Sequence, residues 1–265
     1  MRKIIAVASG KGGVGKSTVA ANLAVVLANY GGGEKEQPLK VALIDVDFYG
    51  PSIPVIMGDG EIAVNPENNL IIPAEAHLVK YISIAFFLKN NDDPVIWRGP
   101  RFGKAMEQLF NDVEWGEIDI AVVDLPPGTG DAQLSLTQVV NLDGVILVTT
   151  PQEISLSDVR RAVNMFTKVN VPVLGVIENM AGFKLPDGSV VDIFGAGGGK
   201  VLAAQYDLNF LGSIPLNIAI RESGDNGRPL VLDKNHEITV MYRNLADKVI
   251  RQLDMLQTKA IKIEN

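Results

Sequence analysis

The chain has 265 residues, 47% of them hydrophobic and 21% charged, which is enough to bury a full globular core. Its formal net charge of −7 speaks against non-specific nucleic-acid binding. No apolar run reaches the ~18 residues of a membrane-crossing helix, there is no cysteine, and no linker or repeat divides the chain, so one folded unit over residues 1–265 in the cytoplasm is expected.

Lys3 to Ala8 reads as a short buried strand. Ser17 to Tyr30 reads as a helix, with Val19, Leu23, Val26, Leu27 and Tyr30 on one apolar stripe and Gly31 as its stop. Between them runs Gly10-Lys11-Gly12-Gly13-Val14-Gly15-Lys16-Ser17-Thr18. A glycine, four residues and then Gly-Lys-Ser, placed between a strand and a helix, is the pattern of a phosphate-binding loop. The glycines let successive N–H groups turn toward phosphate oxygens, and the helix start adds its positive dipole end. Lys16 is expected to neutralise the terminal phosphates, Ser17 to ligate Mg²⁺ through its hydroxyl, and Thr18 to reach the first phosphate. Lys11 cannot easily fold back on its own nucleotide, but it can reach one in a facing copy and act there as an arginine finger does.

Gly31 to Pro38 is a polar, glycine-rich loop, and Lys40 to Asp45 is a second buried strand ending in Asp45-Val46-Asp47. Asp47 is the candidate for positioning or deprotonating the attacking water, and Asp45 for supporting the metal shell. Residues 58–70 read as a loop, and a helix is expected near 101–111. Ile118 to Asp124 is a third strand, running into Leu125-Pro-Pro-Gly-Thr-Gly-Asp131. An apolar strand, an aspartate and a glycine loop form a Walker B and switch pattern. Asp124 would hold Mg²⁺ through water, and the Gly128 N–H would sense the γ-phosphate.

Helices are expected near 131–140, 155–169 and 196–206, the second of these capped by Ser155 or Ser157. Strands are expected over Gly144–Thr149, Pro172–Glu178 and Asn209–Ile214. Apolar strands alternating with helices predict an α/β, three-layer P-loop NTPase fold, with a mostly parallel central sheet covered by helices on both faces. Ligands then bind at the carboxyl ends of the strands, where these motifs fall. Guanine-specific proteins of this class carry Asn-Lys-x-Asp, whereas this strand ends Glu178-Asn179-Met180-Ala181. Asn179 can donate and accept hydrogen bonds at adenine, which favours ATP.

Six segments carry a family resemblance: residues 10–18; Asp-Val-Asp-Phe-Tyr-Gly-Pro-Ser at 45–52; Ile-Trp-Arg-Gly-Pro at 96–100; Asp-Leu-Pro-Pro-Gly-Thr-Gly-Asp at 124–131; Gly-Val-Ile-Glu-Asn-Met at 175–180; and Ile-Phe-Gly-Ala-Gly-Gly-Gly at 193–199. With them the chain resembles the Mrp/ApbC-type ATPases, of the deviant-Walker-A class that includes MinD, ParA and the nitrogenase iron protein, over roughly residues 2–245. The resemblance implies a homodimer that binds ATP and Mg²⁺, hydrolyses ATP slowly, and serves an iron–sulfur apoprotein or assembly factor. It also adds Pro215 to the nucleotide contacts. In the family a [4Fe–4S] cluster bridges the dimer on Cys-Pro-x-Cys from each subunit. Here that place reads Leu185-Pro186-Asp187-Gly188, so the thiolates such a cluster requires are missing.

Arg98 either meets the site or a partner, or braces its loop. Gly197 to Gly199 is expected to form a tight turn into a helix, with a second anion site as the lesser alternative. His77 and His236 read as ordinary surface or core residues. The competing function is a MinD/ParA-like ATP switch acting on a partner, a membrane or the nucleoid. The weakly amphipathic end at Leu256–Asn265 and the acidic charge lend it little support.

Overall fold

The computed structural model describes residues 1–33, 37–58, 60–87 and 100–264. Arg98 therefore lies outside the described residues. In chain order, β1 (Lys3–Ser9) leads through the glycine loop into α1 (Lys16–Tyr30), followed by β2 (Val41–Asp45), α2 (Ile53–Met57), β3 (Ala63–Val64), β4 (Ile71–Ile72), β5 (Ala74–Ala76) and β6 (Val79–Ser83). Then come α3 (Pro100–Asn111), β7 (Ile120–Asp124), α4 (Asp131–Val139), β8 (Gly144–Thr149), α5 (Glu153–Lys168), β9 (Val173–Lys184) and β10 (Val190–Val191). The chain closes with α6 (Gly198–Gln205), β11 (Phe210–Leu216), α7 (Ile218–Asp225) and α8 (Glu237–Glu264).

The central sheet has the order β10-β9-β8-β1-β7-β2-β6-β5, with β11 paired to β9. Every pairing in it is parallel except β5 with β6 and β10 with β9. Alternation along the strands divides the core into two layers. Ile5 and Val7 of β1 belong to the side packed by α1 and α8, whereas Ala6 and Ala8 face the side of α3, α5 and α6. This is the three-layer arrangement that the strand pattern predicts.

Several local expectations need correction. Residues 58–70 are not simply a loop, because Ala63 and Val64 pair antiparallel with Ile72 and Ile71 in a small separate sheet. Neither serine caps α5: its N-cap is Gln152, with no side-chain cap bond. The Ser155 hydroxyl instead lies buried, where it accepts from the Thr149 hydroxyl at 3.0 Å and the Thr150 N–H at 3.3 Å. The strand expected to end at Glu178 continues as β9 to Lys184, turning through a left-handed Met180 at φ 58°.

Helix α1 is buried on nearly every side, not on one stripe: Val19 to Ala28 are all inaccessible. The cause is α8, which covers the face turned away from the sheet and contributes Leu245, Ala246, Val249 and Leu253 to the same core. Small residues Ala20, Ala21, Ala24 and Ala28 let α1 be enclosed in this way, as expected for a helix that is apolar all round. Gly31 ends it at φ 74°, and its N–H closes on the Leu27 carbonyl at 3.0 Å.

Leu245 is 2% exposed and packs against Gly212 of β11. Leu245→Ala is therefore expected to lower the unfolding free energy by about 2–5 kcal/mol, read from the midpoint of a denaturant titration.

Candidate functional site

Parallel pairing of β1, β7 and β2 brings three strand ends side by side, with Val7 opposite Asp124 and Asp124 opposite Asp45. The glycine loop leaves β1 at the same edge. Gly13 and Gly15 both have φ 79°, a left-handed conformation that side chains rarely adopt. At Gly15 a Cβ would also collide with the Asn179 amide, so this position requires glycine twice over. Gly10 has a different reason: a Cβ there would run into the backbone of α5 at Asp158.

A cleft of about 370 Å³ opens at this edge, lined among others by Lys11, Gly12, Gly13, Gly15, Lys16, Ser17, Thr18 and Asp47. Lys16 is 6% exposed, and its ammonium is 2.7 Å from Asp124 Oδ1, 3.4 Å from Asp47 Oδ2 and 3.4 Å from the Ser17 hydroxyl. Asp124 is fully buried beneath the cleft, and its Oδ2 has no hydrogen-bond partner among the described residues. A buried carboxylate oxygen left open next to a serine hydroxyl fits the donor set of a Mg²⁺ ion held directly or through water. Asp45 is more fully committed to the protein. Its Oδ1 accepts from the Asp47 N–H at 3.0 Å, and its Oδ2 from the Ser83 hydroxyl at 2.8 Å and the Ile53 N–H at 3.3 Å.

Three aspartates lie near one ammonium, and burial governs the protonation of two of them, Asp45 and Asp124. Burial, and then the neighbouring Asp124 carboxylate, push Asp45 up to about 7. Asp124 is likewise raised, chiefly by burial, against the lowering influence of Lys16 and Ser17.

The remaining predicted residues fall at or beside this edge. Asn179 is 7% exposed, and its amide donates to the Val14 carbonyl at 2.8 Å, bracing the loop from the side of β9. The Gly128 N–H donates to the Ser9 carbonyl at 3.0 Å, so it can address a phosphate only by leaving that bond. Pro215 does not line the cleft. It sits on β11, next to the Ile214 that pairs with Asn179, and lines a second groove with Phe183 and Leu185. Sequence reasoning gave no role to Tyr49, Gly50, Ser52 or Pro127, which also line the cleft. For the first three the signal was the Tyr-Gly-Pro-Ser segment, quoted above only as a family mark, and Pro127 lies in the segment already read as Walker B and switch.

The anion site entertained at Gly197–Gly199 is filled by the protein itself. The Glu178 carboxylate accepts from the Gly197 N–H at 3.1 Å and the Gly199 N–H at 2.6 Å. Leu185 to Gly188 form the turn of the β9–β10 hairpin, closed by Gly188 N–H to the Leu185 carbonyl at 2.9 Å. The histidines are occupied elsewhere. His77 Nε2 lies 3.1 Å from the carbonyls of Met57 and Gly227, and His236 Nδ1 accepts from the Ile238 N–H at 3.2 Å. Among the described residues no cluster of three or more His, Cys, Asp or Glu is arranged to hold a metal ion by itself.

The raised Asp45 gives a pH dependence with a definite sign. The folded state holds a proton at Asp45 that the unfolded chain releases near its ordinary value of 3.8. This stabilisation is complete below that value and is lost as pH rises to about 7. Wild type should therefore lose thermal stability relative to Asp45→Asn between pH 5 and pH 8 in metal-free buffer. A difference between their melting temperatures that does not vary with pH would contradict this.

Comparison with known proteins agrees with this geometry. The family described as "ParA: NUBPL iron-transfer P-loop NTPase" matches residues 1–250. An "Iron-sulfur cluster carrier protein" of Aquifex aeolicus is 47% identical over 96% of this chain and 68% of its own length. An "Iron-sulfur cluster transfer protein NUBPL" of Dictyostelium discoideum is 44% identical over 97% of this chain and 78% of its own. Among solved structures, a nucleotide-binding protein of Archaeoglobus fulgidus in complex with ADP superposes with a TM-score of 0.74 at 37% identity, covering 89% of this chain and 90% of that one. The MinD of Pyrococcus horikoshii complexed with Mg-ADP, at 22% identity and a TM-score of 0.68 over 93% and 95% of the two chains, shares the fold. The family match over residues 1–250, with relatives 47% and 44% identical along nearly the whole chain, places this chain in the NUBPL iron-transfer family of P-loop NTPases.

Proposed function

We propose that the protein is a Mg²⁺-dependent, slow ATPase that works as a cytoplasmic homodimer gated by its nucleotide, and that it serves iron–sulfur protein maturation without a cysteine-ligated cluster of its own. The observation that carries the reading is Lys16, buried between Asp124 and Asp47 at the mouth of a glycine-cradled cleft. In this reading residues 1–265 act as one ATPase unit. Gly10 to Thr18 hold the phosphates, Lys16 offsets their charge, and Asp47 orients the attacking water. Ser17 and Asp124 would hold Mg²⁺, with Asp45 behind them. The ion supplies charge neutralisation across the phosphates. Asn179 and Pro215 address the adenine, and the Gly128 N–H exchanges Ser9 for the γ-phosphate.

Lys11 lines the cleft while its own carbonyl is held by the Ser9 hydroxyl at 2.8 Å. That bond fixes the backbone and leaves the ammonium to act on the nucleotide of a second copy. Lys11→Ala is expected to cut turnover by roughly 10³–10⁵ while leaving ATP affinity within about threefold, as loss of a trans cation would. Solution mass with and without Mg²⁺-ATP should show an ATP-dependent dimer in the wild type. A protein that stays monomeric, with turnover unaffected by Lys11→Ala, would remove the dimer mechanism. Retention of the ATP state on vesicles or DNA would instead favour the MinD/ParA-like switch.

The cargo reading has its own test. The sequence lacks cysteine, and the corresponding turn carries Leu185 and Gly188. Anaerobic reconstitution with iron and sulfide, followed by desalting, is expected to leave no stoichiometric iron and no cluster absorbance. A partner that binds in the ATP state and supplies the thiols is the remaining route to a maturation role.

A further inference from the structure

Outside the Lys16 cluster, the most completely engaged buried acid is Glu178. It is 2% exposed, and its two oxygens accept from the Gly197 and Gly199 N–H groups at the start of α6. These are charge-assisted bonds to a helix N-terminus, which hold a carboxylate firmly. No step of the proposed ATPase uses this group.

Its position in the chain matters more than its bonds. Glu178 and Asn179 are consecutive on β9, so their side chains leave opposite faces of the strand. Val176, on the Glu178 face, packs in the layer of α6, while Ile177, on the Asn179 face, packs in the layer of α1. Asn179 uses its face to hold Val14 of the phosphate loop, against a Gly15 that has no room for a side chain. Directly after Asn179 the backbone turns left-handed at Met180, runs out into the β9–β10 hairpin, and returns to Gly197. Glu178 therefore fastens both ends of the 179–196 excursion at one point.

We propose that Glu178 is a positioning residue of the nucleotide site. Clasped by α6, it fixes the rotation of β9 two residues before the left-handed break at Met180 and so sets the reach of Asn179 to the phosphate loop. The inference rests on the nucleotide-binding reading above. It names a determinant of ATP affinity that lies on the far face of the sheet from the ATP.

The test is a double-mutant cycle on Mg²⁺-ATP affinity, measured by titration calorimetry with wild type, Glu178→Gln, Asn179→Ala and the double variant. Glu178→Gln should weaken ATP binding by roughly 3- to 30-fold, and it should add little once Asn179 is already alanine. A purely structural role would lower the melting temperature and leave the affinity of the folded protein equal to wild type, or would add in full to Asn179→Ala. Either result overturns the proposal.

Gly199→Ala attacks the clasp from the α6 side and covers the case in which Glu178→Gln fails to fold. A Cβ at Gly199 would stand 3.2 Å from Glu178 Oε2 and 3.3 Å from Thr149 Cγ2, in a helix that otherwise accepts alanine. It should reproduce the same coupling to Asn179. Lys16→Ala separates the two readings. If it leaves ATP affinity intact, the nucleotide site itself is misassigned. If it abolishes binding while Asn179→Ala changes nothing, the phosphate loop stands and the positioning role falls.

Discussion

Much of this molecule is organised around one buried ammonium. Lys16 stands at the first turn of α1, almost without solvent, with Asp124 in contact and Asp47 close by. Removing either kind of charge alone would strand the other in a medium that solvates it poorly, at a cost of roughly 3–5 kcal/mol for a broken buried pair. The sheet order follows from the same requirement. Lys16 comes from the loop after β1, Asp124 ends β7, and Asp47 follows β2, so β7 must lie between β1 and β2, as it does. Burial, with the neighbouring Asp124 carboxylate second, pushes Asp45 upward, and the surplus of carboxylate over ammonium leaves the site electrostatically prepared for further positive charge.

What was legible in the sequence was whatever had a short-range physical signature. The phosphate loop was readable because it needs glycines at fixed offsets, and β2, β7 and β8 because strands buried on both faces are continuously apolar. The burial of α1 on all sides was not readable from α1, because it depends on α8, which begins more than 200 residues later. The role of Ser155 was misread for a related reason. A serine in a first turn satisfies a local capping rule, yet here Thr149 at the end of β8 and Thr150 just after it claim its hydroxyl. The Gly128 bond to Ser9 and the Glu178 bonds to Gly197 and Gly199 join segments distant in sequence, and no residue pattern announces them.

The hairpin at Leu185–Gly188, where the resemblance implied a cluster motif, is supported by its own bonds. Leu185 N–H reaches the Ser189 carbonyl at 2.8 Å, and Asp187 accepts from both the N–H and the hydroxyl of Ser189. Gly188 supplies the left-handed step that closes the turn, at φ 85°. The segment thus keeps its shape through backbone and carboxylate chemistry that asks nothing of a metal. Val190 and Val191 of its second strand are both exposed.

The enclosure of α1 between the sheet and α8 has a mechanical meaning. A helix gripped on both sides cannot shift without opening the core, so the phosphate loop at its start behaves as a fixed anvil. Gly50, Gly128 and Gly130 have open space where a side chain would point, and they lie in the two segments that border the cleft. The cleft thus has a floor rooted in a helix that α8 encloses, and beside it two stretches of chain with room to spare.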